Sequence, residues 1–392
     1  MSKIIKIFAI FAVFFVLLTV SAVIFLPKSL VFFENEMILA SERSGFLMSI
    51  ENTAFVFPDK IVFENAEVSS LANRDFSAKI SHFALDFSIT DYIKSLFKRN
   101  RTVFDFSDVV ELSDISLLFK ENEILSNAKA RINFTPDGLN YKIFTYGFNY
   151  GDFEISDIEI DGFLDSISTN FTIKTEVFGG IANVFADYDL LKNKFSINRI
   201  TLQNIDLPKI LQNDINIAGR LSGEIIPQEL PRNFSNLDEI LKYTKAECVL
   251  SIRNFRLKDM NFSRPITDAV QFVGINSLDF QEITARINYS YENTRVSQII
   301  ADNFKYAFHL SGTFIPKTQR IDFYTEIIFN PDMKFAIQRN IWNSMLPAGT
   351  NGQGRKLTGR ISGSGSNVSV SLDGEIMRRG VNSLLSDLRN LF

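Results

Sequence analysis

Few side chains in this sequence are suited to covalent or metal chemistry. The chain contains a single cysteine, Cys248, which excludes an internal disulfide, an all-cysteine zinc site and a CxxC redox pair. Its two histidines, His82 and His309, fall on the polar faces of strand-like segments, so we expect both to face solvent. The signatures GxGxxG, GxxxxGK[ST], HExxH and GxSxG are absent. We therefore predict that the protein is not an enzyme and has no catalytic residues, no cofactor and no metal site.

The densest acidic cluster has some likeness to a calcium-binding loop. The run from Asp157 to Gly162 carries acidic residues at alternate positions. However, Ser168 stands where an EF-hand loop requires a bidentate glutamate, and the isoleucines of the run have strand spacing. We therefore expect a solvated acidic strand face. The cluster comprises Asp152, Glu154, Asp157, Glu159, Asp161 and Asp165.

Length and composition indicate a folded protein with a substantial core. Of 392 residues, 46% are hydrophobic and 22% are charged, which excludes a disordered chain and allows two or three domains or one elongated unit. Lysine and arginine total 41 against 45 acidic residues, a formal net charge of −4. Phosphate neutralisation requires a concentrated basic surface, so we expect no nucleic-acid partner.

The N-terminal segment is predicted to be a membrane anchor. Ile7–Leu26 contains no charged residue, proline or glycine, and a helix of this length spans about 30 Å, the thickness of a bilayer core. Ser21 and Ala22 could mark a cleavage site, but the apolar run continues beyond them, which favours an uncleaved anchor over a signal peptide. The lysines before the span place the N-terminus in the cytoplasm. The predicted anchor occupies residues 1–28, with Ile7, Phe11, Phe15, Leu18 and Phe25 as its markers.

Beyond the anchor, the dominant hydrophobic period is two residues, which indicates β-strands. Strands that are apolar on one face only are typical of antiparallel sheet, so we predict a mainly β fold. One segment changes phase between Phe280 and Ile283, which predicts a β-bulge at Gln281–Glu282. The clearest alternating segments are His82–Ile89, Thr169–Val177, Phe304–Leu310 and Ile321–Phe329.

A few short helices and two extramembranous domains are also expected. The predicted helices are Leu30–Ser44, a short one capped by Thr90, Ser235–Lys245, one from Asp332 to Met345, and a C-terminal amphipathic helix carrying Met377, Val381, Leu384, Leu385, Leu388 and Leu391. We expect this last helix to pack over the final sheet; the alternative is that it lies on a membrane or in a groove. The predicted domains are β-rich regions at residues 29–230 and 231–392.

Phenylalanine is unusually frequent, with 39 residues, and many lie on one face of alternating strands. Phenylalanine has no polar tip, so a surface lined by it offers apolar contact without hydrogen-bond selectivity. Two interpretations remain open: the closed core of stacked sheets, or a concave apolar sheet that holds an acyl chain. For the second, the candidate lipid-binding residues are Phe83, Phe87, Phe171, Phe304, Phe308 and Phe323, with Tyr306 on the same face.

Motifs near both ends of the chain are similar to those of a known family. Gly45–Glu51 and Phe57–Ala66 suit a first hairpin with an aromatic-proline turn, preceded by a signal anchor and a short helix. Gly312–Phe323 and Leu357–Leu372 suit strands punctuated by small residues. These features resemble the AsmA-like proteins, and the type II secretion accessory protein GspN, which has a comparable layout, is a close second.

The resemblance implies a bacterial inner-membrane protein with a single span and the bulk of its chain in the periplasm. It implies an elongated, curled antiparallel sheet whose apolar interior forms a groove. The implied function is binding or transfer of phospholipid, or another lipid with acyl chains, during envelope biogenesis. The alternative is a non-catalytic assembly or secretion factor, similar to GspN, that binds envelope proteins.

Overall fold

The computed structural model describes most of the chain between residues 30 and 373. The described residues are 30–43, 45–56, 59–71, 75–88, 91, 94, 107–119, 122–150, 153–192, 194–210, 217–230, 237–257, 278–304, 306–330, 356–364 and 367–373. The predicted anchor with Ile7, Phe11, Phe15, Leu18 and Phe25 lies outside this set, as do the helix from Asp332 to Met345 and the C-terminal helix. Within the set, no helix is long and apolar enough to cross a membrane.

The fold is mainly β, as the hydrophobic period predicts. The described residues form 19 strands of antiparallel sheet and few helices. The strands are β1 Phe46–Ser49, β2 Asn52–Val56, β3 Lys60–Ser70, β4 Phe76–Asp86, β5 Val109–Phe119, β6 Asn122–Thr135, β7 Gly138–Tyr150, β8 Phe153–Leu164, β9 Ser168–Val177, β10 Gly180–Asp189, β11 Lys194–Asp206, β12 Ile217–Glu229, β13 Lys245–Leu257, β14 Leu278–Ser290, β15 Thr294–Asp302, β16 Tyr306–Ile315, β17 Arg320–Phe329, β18 Lys356–Ser364 and β19 Asn367–Leu372. The helices are α1 (residues 30–43), α2 Leu207–Ile210 and α3 Leu237–Tyr243, with a 3₁₀ turn at Pro316–Thr318.

Two of the predicted helices are confirmed, and a third is described only in part. Helix α1 matches the prediction at Leu30–Ser44, and α3 occupies the middle of Ser235–Lys245. Near the expected helix at Thr90, Asp91 is helical and its backbone N–H donates a hydrogen bond of 3.2 Å to the Ser88 hydroxyl. Ser88 therefore acts as an N-cap here. The predicted cap, Thr90, lies outside the described residues.

The chain divides into two compact units, and the first comprises Met1–Thr175 with Asp187–Phe195. Its strands β3 to β8 form a meander in which each strand pairs with the next. Strands β1 and β2 both pair with β3, at its two ends. The register places Phe63 opposite Phe83, which lies opposite Leu112. Apolar residues of successive strands therefore share one face.

The second unit comprises Glu176–Ala186 with Ser196–Phe392. Its strands β11 to β19 form a second meander of antiparallel neighbours. The register places Phe308 opposite Ile327, which lies opposite Leu357. The domain boundary predicted after residue 230 falls inside this unit and stays a prediction.

Asparagine and aspartate interrupt the alternation of several strands. Within the described strands, non-glycine residues with positive φ are all Asn or Asp, which tolerate the left-handed conformation better than other side-chain-bearing residues. Each shifts the side-chain phase by one residue, so Phe63 and Ala66, three apart in β3, are both fully buried. At Asn204 and Asn254 the pairing register also shifts, and a β-bulge of this kind bends the strand and increases its twist. These residues are Asn65, Asp114, Asn127, Asp157, Asn204 and Asn254.

The bulge predicted at Gln281–Glu282 is wrong in its position. The register of β14 against β13 runs without a shift through these residues, from Lys245↔Ser290 to Leu257↔Leu278. The shift lies one pairing away, between β12 and β13, where Asn254 has a φ of 54°. The phase change in β14 is visible because Phe280 is buried whereas Gln281 and Glu282 are both exposed. The sequence signal was real, but the residue with the unusual backbone is on the neighbouring strand.

Replacing Asn127 with valine should destabilise the protein, whereas glycine at this position should be tolerated. A β-branched residue at φ 52° carries the left-handed penalty of about 1–2 kcal/mol, which glycine does not. Asn133→Val in the same strand serves as the control, since Asn133 is not among the positive-φ residues. Equal unfolding free energies for the two valine variants in urea denaturation would contradict the assignment of a bulge at Asn127.

Candidate functional site

The sheet of the second unit has one apolar and one polar face. Residues paired across antiparallel strands share a face, so the register defines rows of side chains. We call the face made by two of these rows the apolar face. Its first row is Ile252, Ile283, Ala301, Phe308, Ile327 and Leu357, and its second is Cys248, Ile287, Val296, Gly312, Phe323 and Ile361. The opposite face carries His309, Glu326 and Thr358 in one row and Thr313, Asp322 and Ser362 in another.

The apolar face is only partly buried. Ala301, Ile327 and Leu357 are 4%, 8% and 5% exposed, whereas Phe308 and Phe323 are half-buried. In a sealed core, large apolar side chains lose nearly all contact with solvent. This face therefore retains apolar surface that a ligand can cover.

Aromatic rings concentrate at one end of the apolar face. Phe280 lies edge-to-face with Tyr306 and with Phe308, at centroid distances of 5.8 and 5.7 Å, and Tyr306 meets Phe308 at 5.4 Å. Phe255 adds a tilted contact to Phe280 at 6.1 Å. Burial raises the pKa of the Tyr306 phenol. Tyr306 and Phe308 are therefore in ring contact on one face, while their place in a lipid channel stays a prediction.

The apolar face of the first unit differs because helix α1 covers it. Phe33 of this helix is 2% exposed and packs into a cluster with Ile61, Phe63, Phe83 and Leu85. Phe83 is 5% exposed and stacks at a tilt on Phe63, with a centroid distance of 5.1 Å. An acyl chain has no access to Phe83 while α1 is in place. Of the two interpretations of the phenylalanine faces, the closed core describes this region.

Phe87 belongs to the same covered cluster. Its ring lies edge-to-face with Phe33 at 5.6 Å and with Phe55 at 5.8 Å. It follows the end of β4 at Asp86, so the strand is shorter than the predicted segment His82–Ile89. Together with Phe83, it supports the docking of α1.

Phe171 and Phe304 lie in two further environments. Phe171 is half-buried within β9, as its alternation predicts, and its ring stacks on exposed Phe195 at 6.2 Å. Phe304 is 72% exposed and precedes β16, so the strand predicted to begin there begins at Tyr306. The Asn303 side-chain oxygen accepts a hydrogen bond of 2.9 Å from the Tyr306 N–H, which forms a turn where the sequence pattern indicated a strand.

The polar face is organised by ion pairs. Lys356 Nζ lies 2.8 Å from a Glu326 carboxylate oxygen, and His309 Nδ1 lies 3.6 Å from the other oxygen. Arg360 forms a two-point pair with Asp322, which lowers the pKa of that carboxyl group. His82 is exposed on its strand, as predicted, whereas His309 is half-buried. Among the described residues, no three metal-ligating side chains converge.

Asp157, Glu159 and Asp161 of the acidic cluster form a solvated strand face, as predicted, whereas Asp152 lies outside the described residues. Glu159 and Asp161 of β8 both pair with Lys142, and Glu159 also lies 3.9 Å from Lys174. The Lys142 ammonium lowers the pKa of the Glu159 carboxyl group. Asp165 has a different role, because its carboxylate accepts two backbone hydrogen bonds of 2.6 Å in the turn that follows β8.

Several members of the apolar face were not among the candidates from the sequence. Ile283, Ile287 and Ile361 are aliphatic, and our selection considered phenylalanine alone. The signal was present, since these residues occupy alternate positions of their strands.

No family model, no curated protein and no solved structure matches the chain.

The reactivity of Cys248 provides a test of the apolar face, because Cys248 is the sole thiol of the chain and lies half-buried in the second row. Burial raises the pKa of its thiol, so less reactive thiolate is present at neutral pH. We expect alkylation of the folded protein by iodoacetamide to be several-fold slower than that of the unfolded chain, because burial also limits access to the thiol. Equal rates in buffer and in urea would contradict the placement of Cys248 on this face.

Proposed function

We propose that this protein binds lipid acyl chains on the apolar face of its second unit, without covalent chemistry. In this proposal it is anchored in the bacterial inner membrane by residues 1–28 and acts in the periplasm. The resemblance to the AsmA-like proteins suggests the same class of function, namely binding or transfer of phospholipid along a groove. The proposal needs no catalytic residue or cofactor.

The observation that carries the proposal is the half-burial of Phe308 and Phe323 in unbroken apolar rows. The largest apolar patch on an ordinary monomer covers a few hundred Å², and larger exposed patches mark interaction sites. Within the two rows, the residues from β14 to β18 are apolar or glycine. Such a face makes contacts along the whole length of a hydrocarbon chain.

The chemistry of the face suits an acyl chain better than a polar ligand. Each methylene removed from water contributes about 0.8 kcal/mol, so a bound chain gains free energy along its length without specific hydrogen bonds. On β17 the polar side chain of this face is Thr325, which is buried between Phe323 and Ile327, whereas Asp322 and Arg360 point to the opposite side and are paired with each other. Selectivity for a head group would therefore have to come from residues outside these rows.

The ring of Phe323 has a defined position on the apolar face. It lies over Gly312, its partner on β16, where a Cβ added to the glycine would stand 2.9 Å from the ring. An aromatic ring over a paired glycine covers exposed backbone and leaves the outer side of the ring available for contact. Phe323 is therefore the residue through which we test the proposal.

The test is lipid analysis of the purified full chain by mass spectrometry, for the parent and for Phe323→Ser. We expect the parent to carry phospholipid in detergent and the variant to carry several-fold less, because serine removes an apolar contact and introduces a hydroxyl. Tyr324→Ser is the matched control, since Tyr324 is the next residue, is 53% exposed and lies on the polar face. A parent protein free of lipid, or equal loss in both variants, would contradict the proposal.

A further inference from the structure

Two neighbouring turns of the first unit present large apolar side chains to solvent. The turn after β8 contains Ile167, which is 52% exposed, and the turn after β10 contains Leu190 and Leu191, which are 44% and 76% exposed. The two turns are joined by a hydrogen bond of 2.8 Å from the Leu190 N–H to the Ile167 carbonyl oxygen. Phe195, at the start of β11, is 51% exposed. We call Ile167, Leu190, Leu191 and Phe195 the apolar tip.

This composition is unusual for turns, which are normally built from Gly, Pro, Asn, Asp and Ser. Two other short turns of the described chain are polar. The β6–β7 turn is Pro136–Asp137 and the β14–β15 turn is Tyr291, Glu292 and Asn293, whereas the β9–β10 turn exposes one apolar side chain, Phe178. An aliphatic side chain at the most exposed point of a hairpin contributes little to the stability of the fold. Because several such side chains are clustered in two adjacent turns, they indicate a binding surface.

The side chains of the apolar tip are held by a preorganised backbone. The Asp165 carboxylate accepts hydrogen bonds from the N–H groups of Ile167 and Ser168, both at 2.6 Å. The Asp189 carboxylate does the same for the Lys192 N–H at 2.9 Å and also pairs with its ammonium group. The turns therefore display their apolar residues in a fixed geometry, which reduces the entropic cost of binding.

We propose that the apolar tip inserts into the interface of a lipid bilayer. Four side chains are too few for a stable protein–protein interface, which uses about 20–30 residues on each side. Insertion into the acyl region of a bilayer requires no such area, because the partner is continuous and apolar. Exposed Lys194 flanks the tip, and its long side chain can reach a lipid phosphate while the leucines insert.

The stacking of Phe171 on Phe195 connects the apolar tip with the interior of the first unit's sheet. A membrane contact at this point would bring a bilayer next to a half-buried aromatic side chain. The inference goes beyond the proposed lipid binding and does not depend on it, since the apolar face belongs to the second unit and the tip to the first.

The test is depth-dependent quenching of a fluorophore in the full chain. Leu191→Cys is made in a Cys248→Ala background, labelled with an environment-sensitive probe and reconstituted in vesicles of phosphatidylcholine and phosphatidylglycerol that contain acyl-chain spin labels. We expect a blue shift and strong quenching at position 191. Asn149→Cys is the control and should be quenched several-fold less, because Asn149 is exposed and lies at the end of β7 opposite to the turn that contains Ile167.

A second variant tests the tip without a probe on the residue that inserts. The label is moved to Lys192→Cys, and Leu190→Asp with Leu191→Asp is added. We expect quenching at position 192 to fall several-fold when the aspartates are present, while thermal unfolding stays unchanged because both leucines are exposed. Quenching at position 191 no stronger than at position 149 would overturn the proposal. The lipid content of Phe323→Ser is measured separately, so each proposal can fail alone.

Discussion

Replacing Phe33 with alanine is expected to lower the free energy of unfolding of the first unit by about 3–5 kcal/mol. The side chain is 2% exposed and contacts both the helix and the sheet cluster, with ring contacts to Phe32 at 5.7 Å and Phe87 at 5.6 Å. Alanine would leave a cavity between α1 and the strands, and the surrounding β-sheet can close it only in part. Urea denaturation followed by hydrogen exchange in β3 and β4 would measure the loss.

The control for Phe33 lies on the same helix. Val31 is 58% exposed, so Val31→Ala changes helix composition without removing buried surface and should shift stability by no more than about 0.5 kcal/mol. If the two variants unfold alike, α1 does not seal the first unit's apolar face. Phe83 would then have to be reconsidered as a lipid contact.

After Phe33→Ala, the Gly312→Ala variant is expected to cause the largest loss of stability among the variants proposed here. Gly312 has a φ of +156°, and a Cβ at this position would collide with the Asp322 carbonyl oxygen and stand 2.8 Å from the Phe323 Cα. Because the obstacle is the backbone of the paired strand, it cannot move aside as a side chain could. Strain and overpacking together should cost about 2–4 kcal/mol, which thermal denaturation would register as a lower melting temperature.

Gly147→Ala is the matched control for Gly312. Gly147 also lies within a strand, β7, but an added Cβ there meets no atom within 4 Å. We expect alanine at this position to be neutral or slightly stabilising, because it restricts the unfolded chain. A melting temperature for Gly312→Ala equal to that of Gly147→Ala would contradict the close pairing of β16 with β17.

The elements of the fold that depend on local pattern were predictable from the sequence. The alternation in Ile321–Phe329 predicts β17, because hydrophobic period is a property of a single segment, and the helix expected at Leu30–Ser44 is present as α1. The start of β16 was misplaced by two residues, because Asn303 forms a side-chain turn that hydrophobicity does not encode.

The features that depend on contacts between distant segments were not predictable. Phe83 and Phe308 lie in segments with the same alternating pattern, yet helix α1 covers Phe83. The sequence of β4 itself contains no signal for this contact. The bulge at Asn254 appears in the sequence as a phase change on its neighbour, β14, since register is a property of the pair of strands.

The most direct test of lipid binding on the apolar face is photocrosslinking at adjacent positions of opposite orientation. A photoreactive amino acid is placed at Phe323 or Ile361, which are paired on the apolar face, and at Tyr324 or Ser362 on the polar face. After irradiation in cells and purification of the full chain, adducts are identified by mass spectrometry. We predict phospholipid adducts at positions 323 and 361 and none at 324 and 362. No lipid at 323 and 361, or equal capture on both faces, would contradict the assignment of this sheet as a lipid-binding surface.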